Sequence, residues 1–84
     1  MKENYIRERI KEYYGEDKIH NILVGEDLGN RQIPVIVMGD FPDEGGILEG
    51  NVGILDDFIS ASIVIRRENY RGIDEIPLDY YKVQ

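Results

Sequence analysis

Residues 46 to 66 read GILEGNVGILDDFISASIVIR, and this stretch decides the fold. Its first half, residues 47 to 55, is apolar but is interrupted by Gly50 and Gly53. A glycine inside a strand usually marks a strong bend or a place where another backbone comes close. Small β-barrels need such bends, so we predict a sharply bent strand here.

The second half of the stretch, residues 58 to 66, follows a plausible tight turn at Asp56 and Asp57. Isoleucine or alanine alternates with serine, valine or arginine, which is the period of a strand. Apolar residues between positions 55 and 68 also recur at helical spacing, so a helix is the alternative. We favour the strand, because the run Ile-Val-Ile is stiff at χ1 and because serines on one face suit a half-solvated strand.

The rest of the chain predicts one helix and further strands. An apolar stripe at helical spacing, formed by Ile6, Ile10, Tyr13 and Tyr14, predicts a helix over residues 2 to 14. Short β-branched runs predict strands within residues 18 to 25 and 32 to 38, and the turn formers of residues 40 to 46 predict a loop. A last turn is expected at residues 69 to 72, after which Pro77 divides a short extended piece from a terminal strand over residues 78 to 83.

Together these elements predict a mainly β fold with one N-terminal α-helix, built as a small five-stranded antiparallel barrel of the SH3-like kind. Eighty-four residues suit a single domain, spanning residues 1 to 84, with a thin core. The chain has no cysteine, which excludes disulfides, thiol catalysis and thiolate metal ligation. We therefore expect a homo-oligomer, since association is the remaining way to supplement so small a core.

No stretch approaches the roughly 18 consecutive apolar residues of a membrane span, and the first 14 residues have no apolar signal core. We expect a soluble, cytoplasmic protein with no membrane partner. No motif indicates a catalytic site or a cofactor, so we predict a protein that is not an enzyme and holds no cofactor.

The formal net charge of −7 is concentrated in the middle of the chain. Residues 16 to 57 hold two Lys/Arg against ten Asp/Glu, whereas residues 1 to 15 carry a net +1 and residues 58 to 84 are neutral. Nonspecific binding to phosphate polymers depends on basic surface. A general nucleic-acid coat protein is therefore disfavoured.

The run from Gly46 through Gly50 and Gly53 to Asp56 and Phe58 resembles the first motif of the Sm-like (Hfq-like) family of small β-barrels. In that motif glycines and apolar residues lead from one strand to an aspartate in a turn. The resemblance implies an oligomeric barrel that binds RNA. On this match Asp56, Phe58 and Ser60 are candidate binding residues.

A second group of candidates follows from composition alone. Arginine and tyrosine together stack single-stranded bases and hold phosphates. The chain has one such cluster, which consists of Arg66, Arg67, Tyr70 and Arg71. The alternative is a charged strand end and loop without a ligand.

The acidic residues around the central loop form a third group: Asp40, Asp43, Glu44, Glu49 and Asp57, with Asp56 beside them. Their spacing does not fit a calcium-binding loop, so we predict a solvated acidic patch and no metal site. His20, the only histidine, has no serine or cysteine arrangement that would mark a catalytic triad. A polar position at a strand edge suits it better.

These observations support a non-enzymatic small acidic binding module, an Sm-like barrel that self-associates and binds RNA or a basic protein. The alternative is an acidic inhibitor of the phage type, which would present its carboxylates as a mimic of nucleic acid and block a nucleic-acid-binding protein.

Overall fold

The computed structural model describes residues 2–26, 29, 31–55, 58–67 and 72–78. One α-helix and two 3-10 turns, at Glu16–Lys18 and Pro42–Glu44, accompany five β-strands. The helix and strands are α1 (Lys2–Tyr14), β1 (Ile19–Val24), β2 (Gln32–Gly39), β3 (Ile47–Leu55), β4 (Phe58–Arg67) and β5 (Gly72–Pro77). The predicted class, mainly β with one N-terminal helix, is confirmed. No helix in the described part of the chain is long and apolar enough to cross a membrane.

The five strands form a single antiparallel sheet in which each strand pairs with the next along the chain. Among the described residues β1 and β5 are its two edges, and they do not pair with each other, so the predicted barrel is not closed by strand pairing. Helix α1 makes hydrogen bonds to both edge strands, β1 and β5. A guanidinium N–H of Arg7 donates to the carbonyl of Ile22 in β1, and Arg9 donates through Nε and Nη2 to the carbonyl of Pro77 in β5 at 3.1 and 2.7 Å.

The segment that could have been a helix is the strand β4, which pairs with β3 on one side and β5 on the other. Ile63 and Ile65 are fully buried, whereas Val64 is partly exposed and Arg66 exposed, so the burial follows the strand period. The predicted turns at residues 56–57 and 69–71 lie outside the described residues. So does most of the predicted terminal strand, although Leu78 is described and belongs to none of the strands.

The core lies between the helix and the concave face of the sheet. Ile6 and Ile10 of α1 are fully buried against alternate residues of the strands, while Tyr13 is half exposed and only Tyr14 packs partly against the core. The buried residues outside the helix are Ile22, Ile33, Val35, Val37, Phe41, Leu48, Val52, Ile63, Ile65, Ile76 and Leu78. The apolar stripe predicted for the helix is therefore the surface that covers the sheet.

At Gly50 the structure shows the second of the two reasons for a glycine inside a strand, a close approach of another backbone. A Cβ at this position would overlap the carbonyl oxygen of Val64, and it would lie 2.7 Å from Cδ1 and 3.0 Å from Cα of Ile65. Gly50 pairs directly with Ile65 and is itself buried. The backbones of β3 and β4 can therefore pack this closely only where β3 has no side chain.

We expect Gly50→Ala to lower the free energy of unfolding by about 3 kcal/mol, because the added methyl must displace backbone atoms of β4. Asn51→Ala is the matched control, since it places the same residue at the next, exposed position of β3 and should cost less than about 1 kcal/mol. Urea denaturation measures both values. Equal losses in the two variants would contradict the close approach.

Candidate functional site

The structure joins one residue from each predicted charged group in an ion pair. Arg67 of β4 donates through Nε to Oε2 of Glu44 at 3.0 Å and through Nη2 to Oε1 at 3.3 Å, which is the two-pronged contact that guanidinium and carboxylate groups favour. The side chain of Glu44 is only 4% exposed and that of Arg67 13%. Glu44 therefore contributes little to the acidic surface, and Arg67 lies mostly inside the fold.

A second carboxylate and a phenol extend this contact into a network. Arg67 Nη1 donates to Oδ2 of Asp74 in β5 at 2.7 Å, and the hydroxyl of Tyr14 at the end of α1 donates to the same oxygen at 2.7 Å. The Tyr14 ring also packs edge to face against the buried Phe41, with 5.1 Å between ring centroids. We call these four residues, Tyr14, Glu44, Arg67 and Asp74, the Arg67 network. It ties together the helix, the central loop and the last two strands.

Strand period explains why Arg67 and Asp74 are partly buried. Arg67 has the same parity as the buried Ile63 and Ile65, and Asp74 has the same parity as the buried Ile76, so both charged residues lie on the core face at its end. Arg67 pairs with Gly72, so Asp74 is its diagonal neighbour on that face.

The network shifts the acid–base behaviour of two of its members. Burial, followed by the hydrogen bond to Asp74, raises the pKa of the Tyr14 phenol well above its usual range. The hydrogen bond to Glu44 raises the pKa of Arg67, which outweighs the opposing effect of burial. Tyr14 therefore stays neutral and Arg67 stays charged, which suits a permanent structural contact better than proton transfer.

Arg66, the neighbour of Arg67, points to the opposite, solvated face of the sheet. Its Nη2 lies 3.2 Å from Oε1 of Glu49, its cross-strand partner in β3, and the two side chains are 68% and 62% exposed. A shallow groove of about 210 Å³ runs beside this pair, lined by Glu44, Ile47, Glu49 and Arg66. Both carboxylates of this lining are paired with arginines, Glu49 with Arg66 and Glu44 with Arg67, so the groove offers no unpaired charge for a ligand among its described residues.

The remaining described members of the acidic patch, Asp40 and Asp43, are exposed on the central loop. Asp40 Oδ1 lies 3.9 Å from Nε2 of His20, and both side chains are largely exposed. His20 lies on the edge strand β1, as its polar character suggested. Among the described residues no group of three or more His, Asp or Glu could hold a metal ion.

The other predicted site residues are only partly placed. Phe58 and Ser60 lie on the part of β4 where the structure describes the backbone. Asp56, Asp57, Tyr70 and Arg71 are outside the described residues, so their proposed roles stay predictions.

Two members of the Arg67 network were missed as site residues in the sequence. Tyr14 was assigned to the helix stripe, and Asp74 was given no role. The only signal in the sequence was parity, since Asp74 falls on the same face as Ile76. Its pairing with Arg67 depends on the register between β4 and β5, which the sequence pattern does not specify.

We expect Arg67→Gln to lower the free energy of unfolding by about 3 kcal/mol, because it leaves Glu44 and Asp74 as buried carboxylates without their cation. The matched control is Arg66→Gln, the same change one residue away in an exposed pair, which should cost less than about 1 kcal/mol. Urea denaturation at neutral pH measures both. Similar losses for the two variants would show that the Arg67 network is not a buried structural contact.

Tyr14 should give the fold a specific sensitivity to alkaline pH. Its raised pKa means that the folded state holds the phenolic proton while the unfolded chain releases it at about pH 10. This contribution to stability is therefore complete below about pH 10 and is lost as the pH rises further. Tyr14→Phe, which keeps the ring against Phe41, should cost about 1 kcal/mol at neutral pH and should reduce the loss of stability above pH 10. Tyr13→Phe, the same change at a half-exposed neighbour, is the control and should leave that loss unchanged. An identical pH profile for the wild type and Tyr14→Phe would contradict the role given to Tyr14.

No family model, curated protein or solved structure matches this chain. The Sm-like resemblance therefore stays a prediction from the sequence. The function has to be argued from the geometry of the chain itself.

Proposed function

We propose that this protein is a non-enzymatic binding module that associates with a second copy of itself through the outer edge of β5. The observation that supports this proposal is the difference between the two edges of the sheet. An edge strand offers unpaired backbone donors and acceptors, which another chain can pair with unless the protein blocks them.

The edge formed by β1 is blocked at its centre. The backbone N–H of Ile22 donates to its neighbour's side chain, Oδ1 of Asn21, at 2.9 Å, and the carbonyl of Ile22 accepts from Arg7 of the helix. Both the N–H and the carbonyl of Ile22 are therefore hydrogen-bonded to side chains. A strand added at this edge would have to displace those side chains.

The edge formed by β5 is contacted by the helix at its end, where Arg9 donates to the carbonyl of Pro77. In the part of the chain that the structure describes, no strand pairs with its outer side, and Ile73 near its beginning is 52% exposed. Toward its end lies a mainly apolar groove of about 250 Å³, lined by Arg9, Glu12, Tyr13, Ile76 and Pro77. Exposed apolar side chains next to an unpaired edge support association of strands.

A protein partner is better supported than RNA. Of the predicted Arg/Tyr cluster, the structure describes Arg66 and Arg67, and both are bonded to carboxylates. A nucleic-acid phosphate would compete with those carboxylates in a chain whose net charge is already −7. Self-association needs no such exchange, and it also adds buried area to a small core.

The oligomeric state tests the proposal. We expect size-exclusion chromatography with light scattering to show a mass above that of one 9.7-kDa chain, with a concentration-dependent equilibrium. Ile73→Lys should shift the protein toward the monomer, because a lysine on an edge strand opposes pairing.

The matched control is Ile47→Lys, which replaces an isoleucine of similar exposure, 49%, in the inner strand β3. It should leave the mass unchanged. A wild type that is strictly monomeric up to millimolar concentration, or equal effects of the two variants, would overturn the proposal. Circular dichroism confirms that each variant is folded.

A further inference from the structure

A second concave surface, separate from the β5 edge, lies between helix α1 and strand β1. Its volume is about 230 Å³. The side chains that line it are Arg7, Lys11, Glu16, Ile19, His20, Asn21 and Ile22. We call this surface the α1–β1 cleft. It is smaller than most sites for drug-sized ligands, so its size suits a small ligand or one charged group of a larger one.

The charge of the cleft is opposite to that of the whole chain. Arg7 and Lys11 lie four residues apart on one face of the helix, and Glu16 is the one carboxylate among the described lining residues. Two cations against one carboxylate make the formal charge of this lining +1, and Asp40, whose Oδ1 lies 3.9 Å from Nε2 of His20, is the nearby acid outside it. A net positive concavity on a chain of charge −7 is a local feature that the overall composition does not explain.

The backbone brings His20 to this cleft through an irregularity in β1. The sheet pairs Ile19 with Gly39 and Asn21 with Met38, so His20 is an extra residue in the ladder, a β-bulge. Bulges change the direction of a side chain and are frequent beside binding sites. His20 and Asn21 thereby add hydrogen-bonding groups to the strand side of the cleft, across from Arg7 and Lys11 of the helix.

The donors of the cleft match a phosphate group. Arg7 uses a guanidinium N–H to bond the carbonyl of Ile22, which holds its side chain in place while four further N–H groups remain on a guanidinium of this kind. Lys11 contributes an ammonium group, and the Asn21 amide and the His20 ring contribute further N–H donors. Glu16 also lines the cleft, where its carboxylate repels an anion, so the phosphate has to lie on the side of Arg7 and Lys11.

We propose that the α1–β1 cleft binds a small, doubly charged phosphate group, held by Arg7 and Lys11 from the helix and by His20 from the bulge. The site is distinct from the proposed self-association edge. Its occupancy does not require an oligomer.

Inorganic phosphate is the probe, added to the full chain at constant ionic strength and neutral pH while backbone amide shifts are followed by NMR. We expect saturable shifts confined to residues of the cleft, with a dissociation constant in the range of about 0.1–10 mM. Lys11→Gln should weaken binding about tenfold, the effect expected for one lost charge-assisted hydrogen bond. Arg7 is left intact because it also supports β1.

Lys18→Gln is the matched control, since it makes the same charge change at an exposed lysine that does not line the cleft. It should bind phosphate as the wild type does. Equal weakening in both lysine variants would show attraction to net charge rather than a site, and the absence of saturable shifts would also overturn the proposal.

A second experiment uses a short oligouridylate as the probe. Tighter binding than phosphate at the same residues would assign the cleft to nucleic acid and overturn the small-ligand proposal.

Discussion

The contact between Arg67 and its two carboxylates is the constraint on which the rest of the structure depends. A guanidinium on the core face of a sheet must be paired, because the loss of hydration is not recovered otherwise. Glu44 and Asp74 supply that pairing from the central loop and from β5, and Tyr14 extends it to the end of the helix. One buried charge therefore fixes the relative positions of four elements in a chain with a small apolar core.

The same network changes how the acidity of the chain should be understood. The sequence concentrates negative charge between residues 16 and 57, yet Glu44 is buried in an ion pair and Glu49 lies against Arg66. The arginines that looked available for RNA are therefore close to the acids that looked available for a basic partner. Each predicted surface is partly compensated by the other, which directs attention to the sheet edge and to the α1–β1 cleft.

Helix α1 has three roles that a short amphipathic helix seldom combines. Its apolar face covers the sheet, its arginines bond the backbones of both edge strands, and Arg7 and Lys11 form one wall of a positive cleft. These roles are compatible because Arg7 and Arg9, two residues apart, lie on opposite sides of the helix and reach different edge strands. The difference between the edges lies elsewhere: in β1 both polar backbone groups of Ile22 are bonded by side chains, whereas in β5 Arg9 bonds the carbonyl of the terminal Pro77 and Ile73 is exposed.

The sequence by itself determined the N-terminal helix and most of the strands, because these depend on local periodicity and on glycine. The helical stripe of Ile6 and Ile10 and the glycine at position 50 were readable without neighbours, whereas residues 58 to 66 fitted a strand or a helix until their pairing with β3 and β5 decided for the strand. Tertiary structure alone decided which charges meet. Arg66 and Arg67 are adjacent and identical in type, but strand parity and register place one in solvent with Glu49 and the other in the core with Glu44 and Asp74. Register, the path of the central loop and the bulge at His20 all depend on contacts between residues distant in the chain, and therefore no local pattern predicts the Arg67 network or the α1–β1 cleft.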